Sequence, residues 1–394
     1  MKLLIAIPAL NEEQSIRGTI RRCLEAKSAI LENSPVTEIE VTVVSDGSTD
    51  GTMERAREFG SLINLIEFTR NRGYGAAIME AWSNSPADLL GFLDADGTCD
   101  PRFFATLCTN LVDQNADVAL GCRLNPQSQM PMIRRIGNRL FARLLSVFAS
   151  ETVRDTASGM RVVRREALRH LYPLPVGLHF TPAMSARAML SDATRIIEVD
   201  MPYAEREGES KLHVVRDGFR FLHVILENTL LYKAGRILSW GAIVSVVLGA
   251  LLMLRPLIWY VETRTVADWM IYRFLVSQLA VQVAVSLWGA SVVSARIAAI
   301  AMHEEVRENR APLSGWLRSR WFLWTAASLV VAGSVMVWPS VVQLSRTGHT
   351  SVHWSRFVVA MGCFGVAVLM SVIRGLYQIL DVVEERVLHL RKRV

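Results

Sequence analysis

Four long apolar stretches crowd the second half of the chain, at residues 236–254, 271–295, 321–344 and 357–380. Each runs to about twenty residues, the length an α-helix needs to cross the hydrocarbon of a bilayer. Inside a bilayer every backbone polar group must be satisfied within the segment, so such stretches must be helical. They divide the 394 residues into two domains. Residues 1–235 mix charged and apolar side chains as a water-exposed domain does. Residues 236–394 carry most of the apolar weight behind the mean hydropathy of +0.27. A buried helical core in a large soluble protein could hide one such run, but four in succession argue for an all-α transmembrane domain.

The net charge of +6 is unevenly placed. The loop after the second span holds Arg307, Arg310, Arg318 and Arg320, and the chain ends on Arg386, Arg391, Lys392 and Arg393. Lys233, Arg236, Arg296 and Arg374 flank the same side, against Arg255, Arg264, Arg273, Arg346 and Arg356 on the other. That excess predicts an integral membrane protein, in a cell inner membrane, with residues 1–235 and both termini in the cytoplasm. Arginines gathered near apolar runs suit an anionic membrane surface, and no zinc-finger or RNA-binding spacing points to nucleic acid. The cysteines, Cys23, Cys99, Cys108, Cys122 and Cys363, follow no metal or redox spacing, which fits a reducing compartment. Residues 1–8 have the look of a short signal peptide. Asn11-Glu12-Glu13 stands where a cleavage site would be, so the segment reads as a first strand.

Two further segments have amphipathic helical spacing. In 133–148, Ile133, Ile136, Leu140, Leu144 and Val147 recur with Arg134, Arg135, Arg139 and Arg143 beside them. In 214–233, Phe219, Leu222, Ile225, Leu226 and Leu230 recur, with Arg216, Arg220 and Lys233 at the flanks. Each reads equally as a core-facing helix or as a helix lying in the headgroup plane; their place ahead of the first span favours the membrane.

Residues 1–122 alternate strand and helix patterns. Strands are expected at Leu3–Ile7, Glu40–Val44, Asn64–Phe68, Leu89–Leu93 and Val118–Leu120, with helices near 14–26, 51–59, 74–84 and 101–113. That order predicts a mostly parallel sheet with crossover helices, in which ligands collect beyond the carboxyl ends of the strands. Asp94-Ala95-Asp96 emerges at such an end, after the apolar run Leu89–Leu93. Two carboxylates there can share one divalent ion with a diphosphate, the arrangement Mg²⁺ prefers. Residues rich in Gly, Asn, Asp and Ser follow the other strands too, and each set also reads as turn or cap chemistry. No complete dinucleotide or P-loop fingerprint is present.

The strand-end motifs, in this order, resemble the inverting family 2 glycosyltransferases of GT-A fold, and within them the polyprenyl-phosphate glycosyltransferases, the group that includes dolichol-phosphate mannose synthase. The resemblance spans 1–235. It rests on Pro8-Ala9-Leu10-Asn11-Glu12, Asp46-Gly47-Ser48-Thr49-Asp50, Arg72-Gly73 with Gly75, Asp94-Ala95-Asp96, Asp155–Arg161 and Arg206-Glu207-Gly208-Glu209-Ser210-Lys211. It implies a GDP- or UDP-linked sugar donor held by Pro8, Leu10, Asn11, Glu12, Asp46, Gly73, Asp94, Ala95 and Asp96. It implies Mg²⁺ or Mn²⁺ on Asp94 and Asp96, with Asp96 the direct ligand. It implies a polyprenyl monophosphate acceptor met by Arg123, Arg206, Ser210 and Lys211, and Asp96, Asp155, Arg206 and Lys211 as the catalytic set. Asp155 is expected to orient the acceptor or take a residual proton, or else to cap the backbone near Ser158.

The chain also departs from the pattern. Ser45-Asp46 stands where two consecutive acids are usual. Gly97-Thr98 stands where Leu-Gln follows the metal motif in dolichol-phosphate mannose synthases, so mannose is not implied. A processive polysaccharide synthase would carry Gln-x-x-Arg-Trp before the spans. Here Leu317 holds the Gln place of Arg320-Trp321, after the second span. A non-enzymatic membrane subunit with a dead transferase domain sits poorly with an intact Asp94 and Asp96. The sugar, the nucleotide, the prenyl chain and a homo-oligomeric state all stay open.

Overall fold

Strand β1 (Lys2–Ala9) explains how the first half of the chain is layered. Its residues alternate between two apolar cores, as the two-residue period of a strand requires. Leu3, Ile5, Ile7 and Ala9 join one core, while Leu4 and Ala6 join the other. Both faces are therefore covered, and the strand reads as a continuous apolar run for that reason. The computed structural model describes residues 1–126, 128–149, 151–205, 214–302 and 314–391. The chain divides into two units, Met1–Tyr232 and Lys233–Val394.

In the first unit β1 pairs in parallel with β2 (Glu38–Ser45) on one side and β4 (Leu89–Phe92) on the other. Strand β3 (Asn64–Glu67) extends the sheet beyond β2. Helices α1 (Ile16–Glu32), α2 (Thr52–Arg57), α3 (Tyr74–Ser83) and α4 (Phe103–Asp113) make the crossovers. In α1 the buried residues Ile16, Ile20, Cys23, Ala26 and Ile30 recur every three to four positions, one stripe facing the sheet. The expected strands and helices of residues 1–122 are all present in this unit. Two further strands follow β5 (Val118–Cys122): β6 (Arg161–Arg164) and β7 (Ile196–Asp200). Strand β6 runs antiparallel between β4 and β5, and β7 is parallel to β5. The full order is β3-β2-β1-β4-β6-β5-β7. Chain order reverses between β1 and β4, so a crevice opens at the carboxyl ends of these two strands.

Around this sheet lie α5 (Met132–Ser146), α6 (Leu168–Leu171), α7 (Phe180–Leu190) and the first part of α8 (Val214–Thr263). Helix α5 buries Asn138, Ala142 and Leu145, while Met132, Ile133, Ile136 and Leu140 are exposed. Helix α8 is interrupted at Lys233, whose φ of −128° and ψ of 20° are not helical, where the chain passes into the second unit.

The second unit continues with α9 (Ile271–Met302), α10 (Ser314–Arg318), α11 (Arg320–Thr347) and α12 (Trp354–Arg391). The expected spans fall inside α8, α9, α11 and α12. Their most apolar windows have mean hydropathies of 2.4, 1.7, 1.7 and 2.2, yet 11%, 39%, 17% and 28% of them is buried within the protein. Apolar faces so large and so little covered need lipid around them, which makes this a membrane protein. Small residues bring the helices together: Ser291 Oγ donates to Gly235 O at 2.7 Å, and Ser277 Oγ to Gly249 O at 3.1 Å. Arg296, 5% exposed, is neutralised by Asp381 and Glu384 and donates to Tyr377 Oη at 2.6 Å.

Candidate active site

A cleft of about 490 Å³ lies at the crevice between β1 and β4. The end of β1 supplies Pro8, the loop after it supplies Leu10 and Glu12, and that after β2 supplies Asp46. The start of α3 supplies Gly73 and Tyr74, and the loop just beyond β4 supplies Asp94, Ala95 and Asp96. Arg123, just beyond β5, closes another side, with Arg134 of α5 and Arg220 and Phe221 of α8. Asn11 and Asp155 do not line the cleft, and Arg206, Ser210 and Lys211 lie outside the described residues.

The loops are locked to one another by short polar side chains. Asn11 takes a left-handed φ of +50°, which Asn tolerates better than most residues, and its Oδ1 accepts from Thr49 N at 2.8 Å. Asn11 thus ties the β1 loop to the β2 loop. Asp46, 3% exposed, accepts from Arg72 N at 2.6 Å and Gly73 N at 2.9 Å. Burial still pushes its carboxyl above the ordinary value, against the pull of those two amides and the Arg72 charge. Gly47 beside it has a φ of +74°, and a Cβ there would sit 2.6 Å from the backbone of Arg70 and Asn71. Ser45, where an acid is usual, hydrogen-bonds Ser48 Oγ at 3.0 Å and is wholly buried.

The two carboxylates at the end of β4 are each held by a hydroxyl. Tyr74 Oη donates to Asp94 Oδ1 at 2.7 Å. Thr98 Oγ1 donates to Asp96 Oδ1 at 2.7 Å, and Thr98 N to the same oxygen at 3.2 Å. Thr98 thus braces Asp96 at the very place where the expected pattern has Leu-Gln. The backbone between them is fixed as well, Thr19 Oγ1 donating to Ala95 O at 3.0 Å. Among the described residues no group of three or more His, Cys, Asp or Glu could hold a metal. Two carboxylates suit a hard divalent cation whose remaining ligands are diphosphate oxygens and water, so the donor set fits Mg²⁺ or Mn²⁺.

Asp155, expected to orient the acceptor, take a residual proton or cap the backbone near Ser158, is paired with Arg123 in the structure. It is 0% exposed and accepts from Arg123 N at 2.9 Å, Nε at 2.8 Å and Nη2 at 2.9 Å, with Asn138 Nδ2 as a further donor. Burial alone would raise its pKa, but the Arg123 guanidinium and these donors hold it below the ordinary carboxylate value. A carboxylate so committed is a poor proton acceptor. Its geometry is that of a group that aims Arg123, whose guanidinium also lies 5.3 Å from the centroid of Tyr203. Arg161, also fully buried, donates from Nε to Ser158 O at 3.0 Å and from Nη2 to Thr156 O at 2.9 Å, which shapes the loop after Asp155. Burial lowers its pKa to about 10, so it stays charged at neutral pH.

Sequence reasoning missed Tyr74, Thr181, Tyr203 and Phe221, and took Arg134 and Arg220 for the flanks of amphipathic helices. The arginines carried a signal, being the only charge type in α5, but the cleft they line is formed by tertiary folding.

The comparisons with known proteins bear on this cleft. The model of the family described as "Glycosyl transferase family 2" matches residues 4–172. A low-salt glycan biosynthesis hexosyltransferase of Haloferax volcanii is 35% identical over 230 residues, 57% of this chain. The match spans only 53% of that relative, about half its length. A dolichyl-phosphate hexose transferase of the same organism is 34% identical over 216 residues, 53% of this chain and 86% of the relative. An undecaprenyl-phosphate 4-deoxy-4-formamido-L-arabinose transferase of Enterobacter sp. (strain 638) is 30% identical over 220 residues, 55% of this chain and 64% of the relative. Among solved structures, glucosyl-3-phosphoglycerate synthase from Mycobacterium tuberculosis with Mg²⁺ and uridine diphosphate covers 58% of this chain and 79% of its own, at 18% identity and a TM-score of 0.46. That likeness is too slight to say anything of substrate. With a family match across the crevice loops and a relative aligned over most of its length, the chain belongs to glycosyl transferase family 2.

Proposed function

We propose that this protein transfers a sugar from a nucleotide sugar to a polyprenyl monophosphate at a membrane surface, inverting the anomeric centre. One observation carries the reading. A single cleft places the carboxylates Asp94 and Asp96 together with the guanidinium groups Arg123, Arg134 and Arg220, in a chain whose second unit is made of membrane-length helices. The carboxylates suit the cation of a diphosphate leaving group, and the arginines suit phosphate oxygens.

Pro8, Leu10, Glu12, Asp46 and Gly73 form the donor side, its loops tied by Asn11, with the nucleoside, GDP- or UDP-linked, over the Asp46 loop. Asp94 and Asp96 hold Mg²⁺ or Mn²⁺, which when bound offsets the charge on the departing diphosphate. Arg123, Arg134 and Arg220 orient the acceptor phosphate, joined by Arg206, Ser210 and Lys211. An acceptor phosphate oxygen attacks the anomeric carbon, the bond to the nucleoside diphosphate breaks on the opposite face, and the electron pair leaves with the diphosphate. A phosphate monoester has a second pKa near 6 and is mostly dianionic at pH 7, so no strong base is needed. This is why Asp155 can be committed to Arg123.

The exposed apolar face of α5, flanked by Arg134, Arg135, Arg139 and Arg143, lies in the headgroup plane on this reading, as does the start of α8. The arginine excess sets residues 1–235 and both termini in the cytoplasm. A sugar-phosphate lipid is then made where nucleotide sugars are present.

The test is incubation of the purified protein with polyprenyl phosphate and a panel of nucleotide sugars, with NMR of the lipid product. An α-linked donor should give a β-linked monophosphate sugar. Asp96→Asn should reduce transfer by at least about a hundredfold, the scale on which electrostatic stabilisers act. An α anomer, a diphosphate bridge to the sugar, or full turnover in excess chelator would refute the reading.

A further inference from the structure

We infer that Tyr74 is a positioning residue for the cation site: its hydroxyl fixes the Asp94 carboxylate from behind. The inference rests on the reading of Asp94 and Asp96 as ligands of Mg²⁺ or Mn²⁺. The hydroxyl donates to Asp94 Oδ1 at 2.7 Å, and the ring is wedged edge-on against Phe92 and Phe180, with centroids 6.5 and 6.4 Å away. Both rings belong to the apolar core under the cleft, so Tyr74 has little room to swing.

The backbone around Tyr74 is built to deliver it there. A Cβ at Gly73 would lie 2.4 Å from Val176 O, and one at Gly75 would lie 2.3 Å from Pro175 O. Gly73 also has a φ of +109°, a conformation L side chains rarely adopt. Two glycines thus let the first turn of α3 press against the Pro175–Val176 backbone, where Ala76 N donates to Val176 O at 3.1 Å. The residue between them is carried over the end of β4.

The far side of Asp94 is equally confined. A Cβ at Gly159 would sit 2.0 Å from Asp94 Oδ2. The carboxylate is therefore held between a hydroxyl and a glycine. A buried tyrosine hydroxyl needs some acceptor, and a carbonyl would serve stability as well. That the acceptor is a carboxylate lining the cleft gives the bond a consequence for ligand binding. Partners behind a metal ligand typically change affinity about 10–100-fold.

The experiment measures Mn²⁺ binding to the purified full-length chain in detergent, by the electron paramagnetic resonance signal of free Mn²⁺. Tyr74→Phe keeps the ring and removes only the donor; its dissociation constant should rise about tenfold with the thermal transition nearly unmoved. Gly159→Ala displaces the same carboxylate from the other side and should weaken binding too. Tight binding by folded Tyr74→Phe, within twofold of wild type, overturns the inference while leaving the cation site standing. Failure of the wild type to bind Mn²⁺ overturns the cation site itself, and the inference with it.

Discussion

Replacing Asp155 by Asn removes one charge from a largely buried pair. Asp155 is fully buried, Arg123 is 9% exposed, and three donors of Arg123 converge on the two carboxylate oxygens. The variant leaves a buried guanidinium without its counter-charge. Breaking a buried pair in this way costs about 3–5 kcal/mol. For a unit of this size each kcal/mol shifts the melting temperature by roughly 2–4 °C, so the transition should fall by about 6–20 °C. Calorimetry of the full-length protein in detergent reads this directly. The variant Arg123→Met with Asp155→Leu removes both charges and should recover most of the lost stability, without recovering transfer. The pH dependence follows from the depressed carboxyl. The folded pKa of Asp155 lies below the unfolded value near 4, so its contribution is present above about pH 4 and is lost as pH falls through the folded value. Asp155→Asn should lack that part of the acid slope. A melting temperature within about 2 °C of wild type, or a double variant no more stable than the single one, would refute the reasoning.

Gly47→Ala should push a Cβ into the Arg70–Asn71 backbone at a residue with positive φ, costing about 1–3 kcal/mol and raising the donor KM more than it changes kcat; an unchanged KM in a folded variant counts against the donor-side role of that loop. Orientation is tested with single introduced cysteines: His349→Cys should react with an impermeant reagent in intact cells, and Glu32→Cys only after permeabilisation, the reverse pattern overturning a cytoplasmic donor site.

The parts legible in the sequence were those whose signal is local. Strands β1, β2, β4 and β5 bury residues on both faces and so stand out as apolar runs, and Asp94 and Asp96 mark the end of one of them. Strand β6 was hidden because Arg161-Val162-Val163-Arg164 puts arginines at both ends of a four-residue strand. Arg161 is wholly buried and donates to two carbonyls a few residues back, which its charge gives no hint of. The role of Asp155 stayed open in the sequence because its partners, Arg123 and Asn138, lie 32 and 17 residues away. Tyr74 carried no periodic signal at all. Its place becomes readable only when the glycines on either side are seen pressing against the Pro175–Val176 backbone.

The acids of the cleft bear on what kind of acceptor it suits. An enzyme that glycosylates an alcohol needs a carboxylate poised to take its proton. Among the described residues four acids line this cleft: Glu12, Asp46, Asp94 and Asp96. Asp46 is engaged by the Arg72 and Gly73 amides, Asp94 by Tyr74, Asp96 by Thr98, and Glu12 accepts from Ser15 Oγ at 3.3 Å. Asp155 has been drawn out of the cleft altogether and given to Arg123. The other charged groups lining the cleft, among the described residues, are the guanidinium groups of Arg123, Arg134 and Arg220. A cleft whose acids are engaged by hydroxyls and backbone amides, and whose remaining charged lining is arginine, suits a nucleophile that arrives already ionised. A phosphate monoester meets that demand at neutral pH, and an alcohol does not. The same arrangement rewards an acceptor held at a membrane, because its phosphate is then presented at the surface where the basic face of α5 would lie.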